Sequence, residues 1–536
     1  MKLSNANLNS ALFQEKNYTL PRYDRAQVLE KTAKTPVWVH MGAGNIARSF
    51  VSQIAQDTLD AGKMDTGLII CEGFDYEIIE KAYRPYDNLC INVILNPDGS
   101  VRKNVVGSLT ESLVMDPARE DWARLKEIFV SPSLQMVSFT ITEKGYNLKD
   151  LQGNYMPAVL EDFAVGTQAP KTYIGKVAAL CYARYQAGAL PLALVSMDNC
   201  SHNGKRLEDA VCDFAKHWAE NGAADAGFAA YIAGNDKIAF PWTAIDKITP
   251  RPDPTVCDAL TADGLEDMAP VQTARHTFVA PFVNAEQTQY LVVEDHFPNG
   301  RPALSANGVY FTDRSTVEKF EQMKVCTCLN PLHTALAVLG CMLGYERISD
   351  EIKDADLAEL IRRIAFQESM PVVVNPGIID PVEFARQVIE ERLPNPFIPD
   401  TPQRIATDTS QKLAIRFGNT IRAYEADAKL DVQSLRYIPF VLAAWCRYLL
   451  AVDDNGQPFQ PSADPMLAVV QAHVAGITLR STGSFHEALQ PILSKTAIFG
   501  VDLYAVGLGE RVEKIFAQLV AGPGAIRSAL HALIAG

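Results

Sequence analysis

The sequence predicts an α/β protein, with a doubly wound parallel sheet in its first part and a mostly α-helical second part. Three observations predict it. Short β-rich runs alternate with helical patterns early in the chain, a glycine turn joins the first run to a helix, and the alternation stops after about Asp313. The runs cover 37–41, 67–71, 136–142, 192–196 and 290–294. Beyond them, long helical patterns follow one another over 354–367, 381–392, 441–451 and 511–520. At 536 residues the chain exceeds what one hydrophobic core covers. Two domains are therefore expected, over 1–310 and 311–536.

Composition narrows the function. Apolar residues make up 48% of the chain and charged residues 21%, as in well-packed globular proteins. The formal net charge of −14 repels nucleic-acid phosphates and anionic lipid, so no nucleic-acid or membrane partner is expected. A small anionic ligand would need a locally basic pocket. The ten cysteines are scattered, without a paired CxxC and without His or Cys partners at zinc-like spacing. They read as free thiols in a reducing cytoplasm, and no metal site is expected. The first twenty residues lack an apolar signal core. The apolar stretch 437–452 is broken by Pro439 and Arg447, and reads as a buried helix. Nothing in the sequence sets an oligomeric state.

The run 37–41 leads directly into Gly42, Ala43, Gly44, Asn45, Ile46 and Ala47, and then into a helical pattern. This is GxGxxA between a strand and a helix, the Rossmann-like dinucleotide turn. Gly42 permits the turn, Gly44 lets backbone approach a pyrophosphate, and Ala47 lets helix and strand pack closely. The helix N-terminus then offers its free N–H groups to the phosphates. The next run ends at Glu72, where a carboxylate accepts hydrogen bonds from ribose hydroxyls and repels a 2′-phosphate. That predicts NAD in preference to NADP. Asp75 competes for the same role.

From here the chain resembles the long-chain mannitol dehydrogenase family, which includes mannitol 2-dehydrogenases, fructuronate reductases and tagaturonate reductases. The residues that carry the resemblance begin with Tyr23, Asp24 and Arg25 and the His40-Met41-Gly42 strand end. They continue through Thr140 to Tyr146, Ser196 to Asn199, His202 to Gly204, Asp246 to Pro250 and Val293 to Asp295. The later part supplies Glu321, Lys324, Asn330, His333, Arg404, Asp408, Ser410 and Lys412. Two departures stand out. Ile46-Ala47-Arg48 replaces the family's Phe-His-Arg, and one extra residue separates Lys324 from Asn330, with Pro331 where the family has glycine.

The resemblance implies a metal-independent oxidoreductase that moves a hydride between an acyclic polyol or aldonate and its keto form. The pairs are D-mannonate with D-fructuronate or D-mannitol with D-fructose. It also implies Lys324 as general base and His333 as a ligand of substrate hydroxyls. A free lysine titrates near ~10.4, so this role asks for burial or a cationic neighbour such as Lys412 or Arg404. Asn199 and Asn330 suit oxyanion stabilisation, because an amide NH₂ donates without giving up its proton. Arg404 and Lys412 fall on the family's substrate-contact motif, and Arg404 also has an ion-pair partner nearby in sequence in Asp400 or Asp408.

Ser315 with Glu318 reads as a capping box opening the helix that carries Lys324. Asn330 reads as the N-cap of a new helix with Pro331 in its first turn. The extra residue would rotate Lys324 and Asn330 apart by about 100° on a continuous α-helix. A π-bulge between them is therefore expected. Two other readings remain: a polyol-phosphate dehydrogenase, suggested by the Gly-Ala-Gly-Asn-Ile turn, and a non-redox sugar-acid epimerase that keeps NAD bound.

Overall fold

In the computed structural model, residues 1–150, 152–234 and 236–536 are described. The chain divides into two compact units, Met1–Val317 and Glu318–Gly536.

Six parallel strands form the central sheet of the first unit: β1 (Trp38–Met41), β2 (Leu68–Glu72), β3 (Leu109–Val114), β4 (Met136–Phe139), β5 (Leu192–Ser196) and β6 (Ile238–Ala239). Their spatial order is 3-2-1-4-5-6, that of dinucleotide-binding sheets. Successive side chains leave a strand on opposite faces. Val39, Ile69, Val137 and Leu194 accordingly enter one apolar core, while Trp38, Ile70, Met136 and Val195 enter the other. Helix α1 (Ser52–Asp60) covers one face. Helices α2 (Asp121–Val130), α3 (Tyr173–Gln186) and α4 (Asn203–Glu220) cover the other. Burial on both faces explains why these strands read as continuous apolar runs.

His40 is a polar residue inside this core. The His40 ring lies 2.7 Å from Ser138 Oγ and 2.8 Å from Thr140 Oγ1. Burial pushes its pKa down to about 3, so the ring is neutral and ties β1 to β4.

The run at 290–294 is a strand, but not of the central sheet. It pairs antiparallel with Thr243–Asp246 and parallel with Val309–Thr312 in a separate three-stranded sheet. Pro241, which has no N–H for a ladder, follows the end of β6, and the chain restarts in a new sheet. A four-stranded sheet orders Tyr18–Thr19, Val101–Val106, Cys90–Leu95 and Phe282–Ala285. Both small sheets lie outside what the alternating pattern predicts.

The second unit is helical, and its described residues include no strand beyond an isolated bridge between Val452 and Pro458. The apolar stretch from residue 437 forms a helix, Tyr437–Tyr448, buried along its whole length. All ten cysteines are free thiols.

Helix α5 (Arg314–Gln322) continues into a π-helical turn at Met323–Cys328, and α6 (Asn330–Leu343) follows. The expected bulge between Lys324 and Asn330 is thus present, closed by Leu329 N–H donating to Lys324 O at 3.1 Å. The caps differ from expectation. Asp313 rather than Ser315 caps α5, accepting from Thr316 N at 2.9 Å and Thr316 Oγ1 at 3.0 Å. Its carboxylate stands one residue before the helix and offers two acceptor atoms. Asn330 is the first residue of α6 rather than its cap. The π-turn carries the chain one residue further, and the break falls at Leu329, with φ −127° and ψ −63°.

Candidate active site

The glycine turn follows β1. Gly42 has φ +105°, and a Cβ there would stand 2.1 Å from Thr140 O, so only glycine fits. Gly44 is the opposite case, since a Cβ there would meet nothing within 4 Å. The loop is held from below. Gly42 N donates to Cys71 O at 2.8 Å, Ala43 N to Glu72 Oε2 at 2.8 Å, and Tyr83 OH to Ala43 O at 2.8 Å. Asn45 Nδ2 donates to Pro250 O at 3.2 Å, and Ile46 packs on the core. Ala47, fully buried, begins a π-helical turn that leads into α1.

Beside the loop lies a cavity of about 540 Å³, lined among others by Gly42, Gly44, Glu72, Asp75, Thr142 and Tyr173. It has the size of a small-molecule site. The Glu72 carboxylate accepts from the amides of Ala43, Phe74 and Asp75, at 2.8, 2.8 and 3.2 Å. It therefore joins the glycine loop to the loop after β2. Two carboxylate oxygens have capacity for about four hydrogen bonds, so one site remains for a hydroxyl. Burial raises the Glu72 pKa, and the three amides oppose that rise. Asp75 accepts from Thr273 Oγ1 at 2.7 Å.

Asn199 is exposed just beyond the carboxyl end of β5. The neighbouring Asp198 shapes this edge, a role that sequence reasoning missed. It accepts from Ile141 N and Thr142 N, both at 2.9 Å, and from Tyr146 OH at 2.5 Å. Thr142 holds φ +64°, a costly conformation for a β-branched residue. The Asp198 grip keeps it there, at the wall of the cavity. Removing it in Asp198→Ala should lower stability by about 3 kcal/mol, the scale of two charge-assisted hydrogen bonds. Urea unfolding measures this, and a loss under about 1 kcal/mol would show that the loop holds itself.

In the second unit, Lys324 is 3% exposed and sits within the π-turn. Asn330, His333 and Thr334 lie three and four residues apart on α6 and so share one face. His333 Nε2 stands 3.6 Å from Asp400 Oδ2. Burial lowers the His333 pKa against the pull of Asp400, with Arg392, Arg416 and Arg404 adding to the fall. The ring is neutral at physiological pH, able to donate from one nitrogen and accept at the other. Arg404 forms an ion pair with Asp400. Lys412 Nζ donates to the carbonyls of Ile405, at 3.2 Å, and Thr407. Its pKa is lowered, first by burial and then by Arg416. No group of three or more potential metal ligands gathers among the described residues.

The comparisons with known proteins identify the family of both parts of the chain. Residues 37–306 match the model of the mannitol dehydrogenase Rossmann domain, and residues 316–520 that of the mannitol dehydrogenase C-terminal domain. The chain is 50% identical to the D-mannonate oxidoreductase of Thermotoga maritima, over 96% of this chain and 95% of that one. It is 29% identical to the mannitol 2-dehydrogenase of Cereibacter sphaeroides, over 85% of this chain and 88% of the relative. Among solved structures, the Pseudomonas fluorescens mannitol 2-dehydrogenase, a ternary complex with NAD and D-mannitol, aligns over 100% of both chains. Its TM-score is 0.69 and its identity 25%.

Proposed function

Because this chain belongs to the mannitol dehydrogenase family of oxidoreductases, we propose that it is an NAD-dependent, metal-independent dehydrogenase interconverting D-mannonate and D-fructuronate. The glycine loop carries the reading. At Gly44 the backbone faces open space beside a cavity, as a pyrophosphate requires, while Gly42 is locked against Thr140. Gly42, Ala43, Gly44, Asn45 and Ile46 form the cradle, and Glu72 accepts a ribose hydroxyl. NAD held by these residues would supply the hydride chemistry at the carbinol carbon. Lys324 takes the hydroxyl proton on oxidation and returns it on reduction. In the second unit Asn330 is the amide donor for the developing alkoxide, His333 holds the substrate hydroxyls, and Arg404 and Lys412 supply cationic contacts; Asn199, at the carboxyl end of β5, is the first unit's candidate amide donor. The sugar-acid member of the family is favoured by half-identity to a D-mannonate oxidoreductase and by the arginines around His333.

Absorbance at the NADH band, with fructuronate, tagaturonate, fructose and fructose 6-phosphate as substrates, tests this. Oxidation with fructuronate above all others is expected. Preference for fructose 6-phosphate would favour the polyol-phosphate reading. Sugar-acid epimerisation without net NADH change would favour the non-redox one.

Gly44→Val separates cofactor binding from folding. The open space at its Cβ accommodates the side chain, so the melting temperature should hold. NADH affinity, followed by fluorescence titration, should fall by at least about tenfold, since the branch occupies the phosphate's approach. Unaltered affinity would place the phosphates elsewhere.

A further inference from the structure

We infer that Arg416 is the receptor for the substrate carboxylate and sets the preference for a sugar acid over a neutral polyol. The inference rests on the reading above and deepens it. Arg416 lies on a π-helical turn, Ala414–Gly418, one turn after Lys412. Its guanidinium makes a single hydrogen bond, from Nη1 to Thr334 Oγ1 at 2.5 Å. That hydroxyl in turn donates to Asn330 O at 3.0 Å. Arg416 is thereby braced against the face of α6 that carries Asn330 and His333, and its charge is felt at the His333 ring.

Two other cations nearby have partners of their own, which suits them to contacts with substrate hydroxyls rather than to a bidentate grip on a carboxylate. Arg404 is paired with Asp400, and Lys412 is held by two carbonyls. Arg184 in the first unit and Arg447 in the second, both fully buried, spend their N–H groups on backbone carbonyls. Arg48 keeps unpaired nitrogens too, but sealed in the core where no ligand reaches. Among the described residues Arg416 has no carboxylate partner, and its remaining N–H groups are not sealed. Burial with no compensating charge lowers its pKa to about 10. A mostly desolvated cation braced by one neutral hydroxyl is stabilised by an anion that presents two oxygens to the free edge of the fork. A carboxylate does this, whereas a hydroxymethyl group at the same carbon does not.

Arg416→Gln and Arg416→Lys test the inference. The readout is the ratio of kcat/KM for fructuronate to that for fructose. In Arg416→Gln it should fall by about 100-fold, the scale of one lost bidentate ion pair, mostly through KM for fructuronate. Arg416→Lys should retain part of the ratio, as a point charge without the fork. A ratio that persists in Arg416→Gln, or a parallel fall with both substrates, overturns the inference while leaving the proposed reaction standing. If the wild type reduces neither substrate, the proposed reaction fails and calorimetry decides on Arg416. With NADH present, mannonate should bind more tightly than mannitol to the wild type and lose that advantage in Arg416→Gln. Equal binding of the two to the wild type also overturns it.

Discussion

Lys324→Ala is expected to lower kcat by about 1000-fold while NADH binding persists, the middle of the range for losing a positioned general base. A secondary alcohol gives up a hydride readily only as its hydroxyl proton leaves. No other side chain assigned to the reaction takes a proton at the required atom, since Asn330 donates without accepting one and the neutral His333 ring is assigned to hydroxyl contacts. Lysines ordinarily lie on solvated helix faces. Lys324 is instead 3% exposed, on a π-turn of the kind that recurs at functional sites. In the proposed role the same Nζ would serve both directions, accepting the proton as the neutral amine and returning it as the ammonium. Lys324→Arg should therefore fail to rescue, because a guanidinium stays protonated. Single-turnover absorbance gives the chemical step, and fluorescence titration gives NADH affinity. A loss of kcat smaller than about tenfold would remove Lys324 from the proton path.

Glu351→Gln is expected to stabilise the protein by about 3 kcal/mol at pH 7 and by little near pH 4.5. Glu351 ends a short helix, α7 (Ile348–Glu351), packed on α6. It is fully buried, and neither carboxyl oxygen has a hydrogen-bond partner among the described residues. Room for it exists only because residue 340 is glycine, where a Cβ would stand 2.1 Å from Glu351 Oε1. Burial alone raises its pKa from 4.5 to about 9. Between these values the folded chain holds a proton that the unfolded chain has released. Stability is therefore fully present below pH 4.5 and declines as pH rises toward 9. The amide has no proton to lose, so the advantage of Glu351→Gln should grow with pH. Melting temperatures of both proteins at pH 5 and pH 8 measure it. A difference that does not change with pH would mean that Glu351 is solvated or paired in solution.

Features set by neighbouring residues were legible in the sequence. The turn at Gly42 to Ala47 is local backbone geometry between a strand and a helix, and it stands where the glycine spacing puts it. The π-turn before Asn330 was expected from the resemblance, because one residue more than the family has between Lys324 and Asn330 cannot be absorbed at 3.6 residues per turn. The apolar runs of the buried strands and the helix Tyr437–Tyr448 declare their burial by composition. The cap of α5 was harder to read, since Asp313 and Ser315 both offer a side-chain oxygen and only backbone geometry chooses between them.

What joins distant residues was decided by the fold. Asp198 reaches Thr142 across 56 residues, and Tyr290–Glu294 has the pattern of a central strand yet pairs in another sheet. Arg404 and Arg416 are the same residue type twelve positions apart, but the fold gives Asp400 to one and no carboxylate to the other. Residue order sets the period and polarity of each segment, because torsional preference and apolar alternation act over a few residues. Which buried charge meets a partner depends on contacts between segments far apart in the chain, and those exist only once the cores have packed.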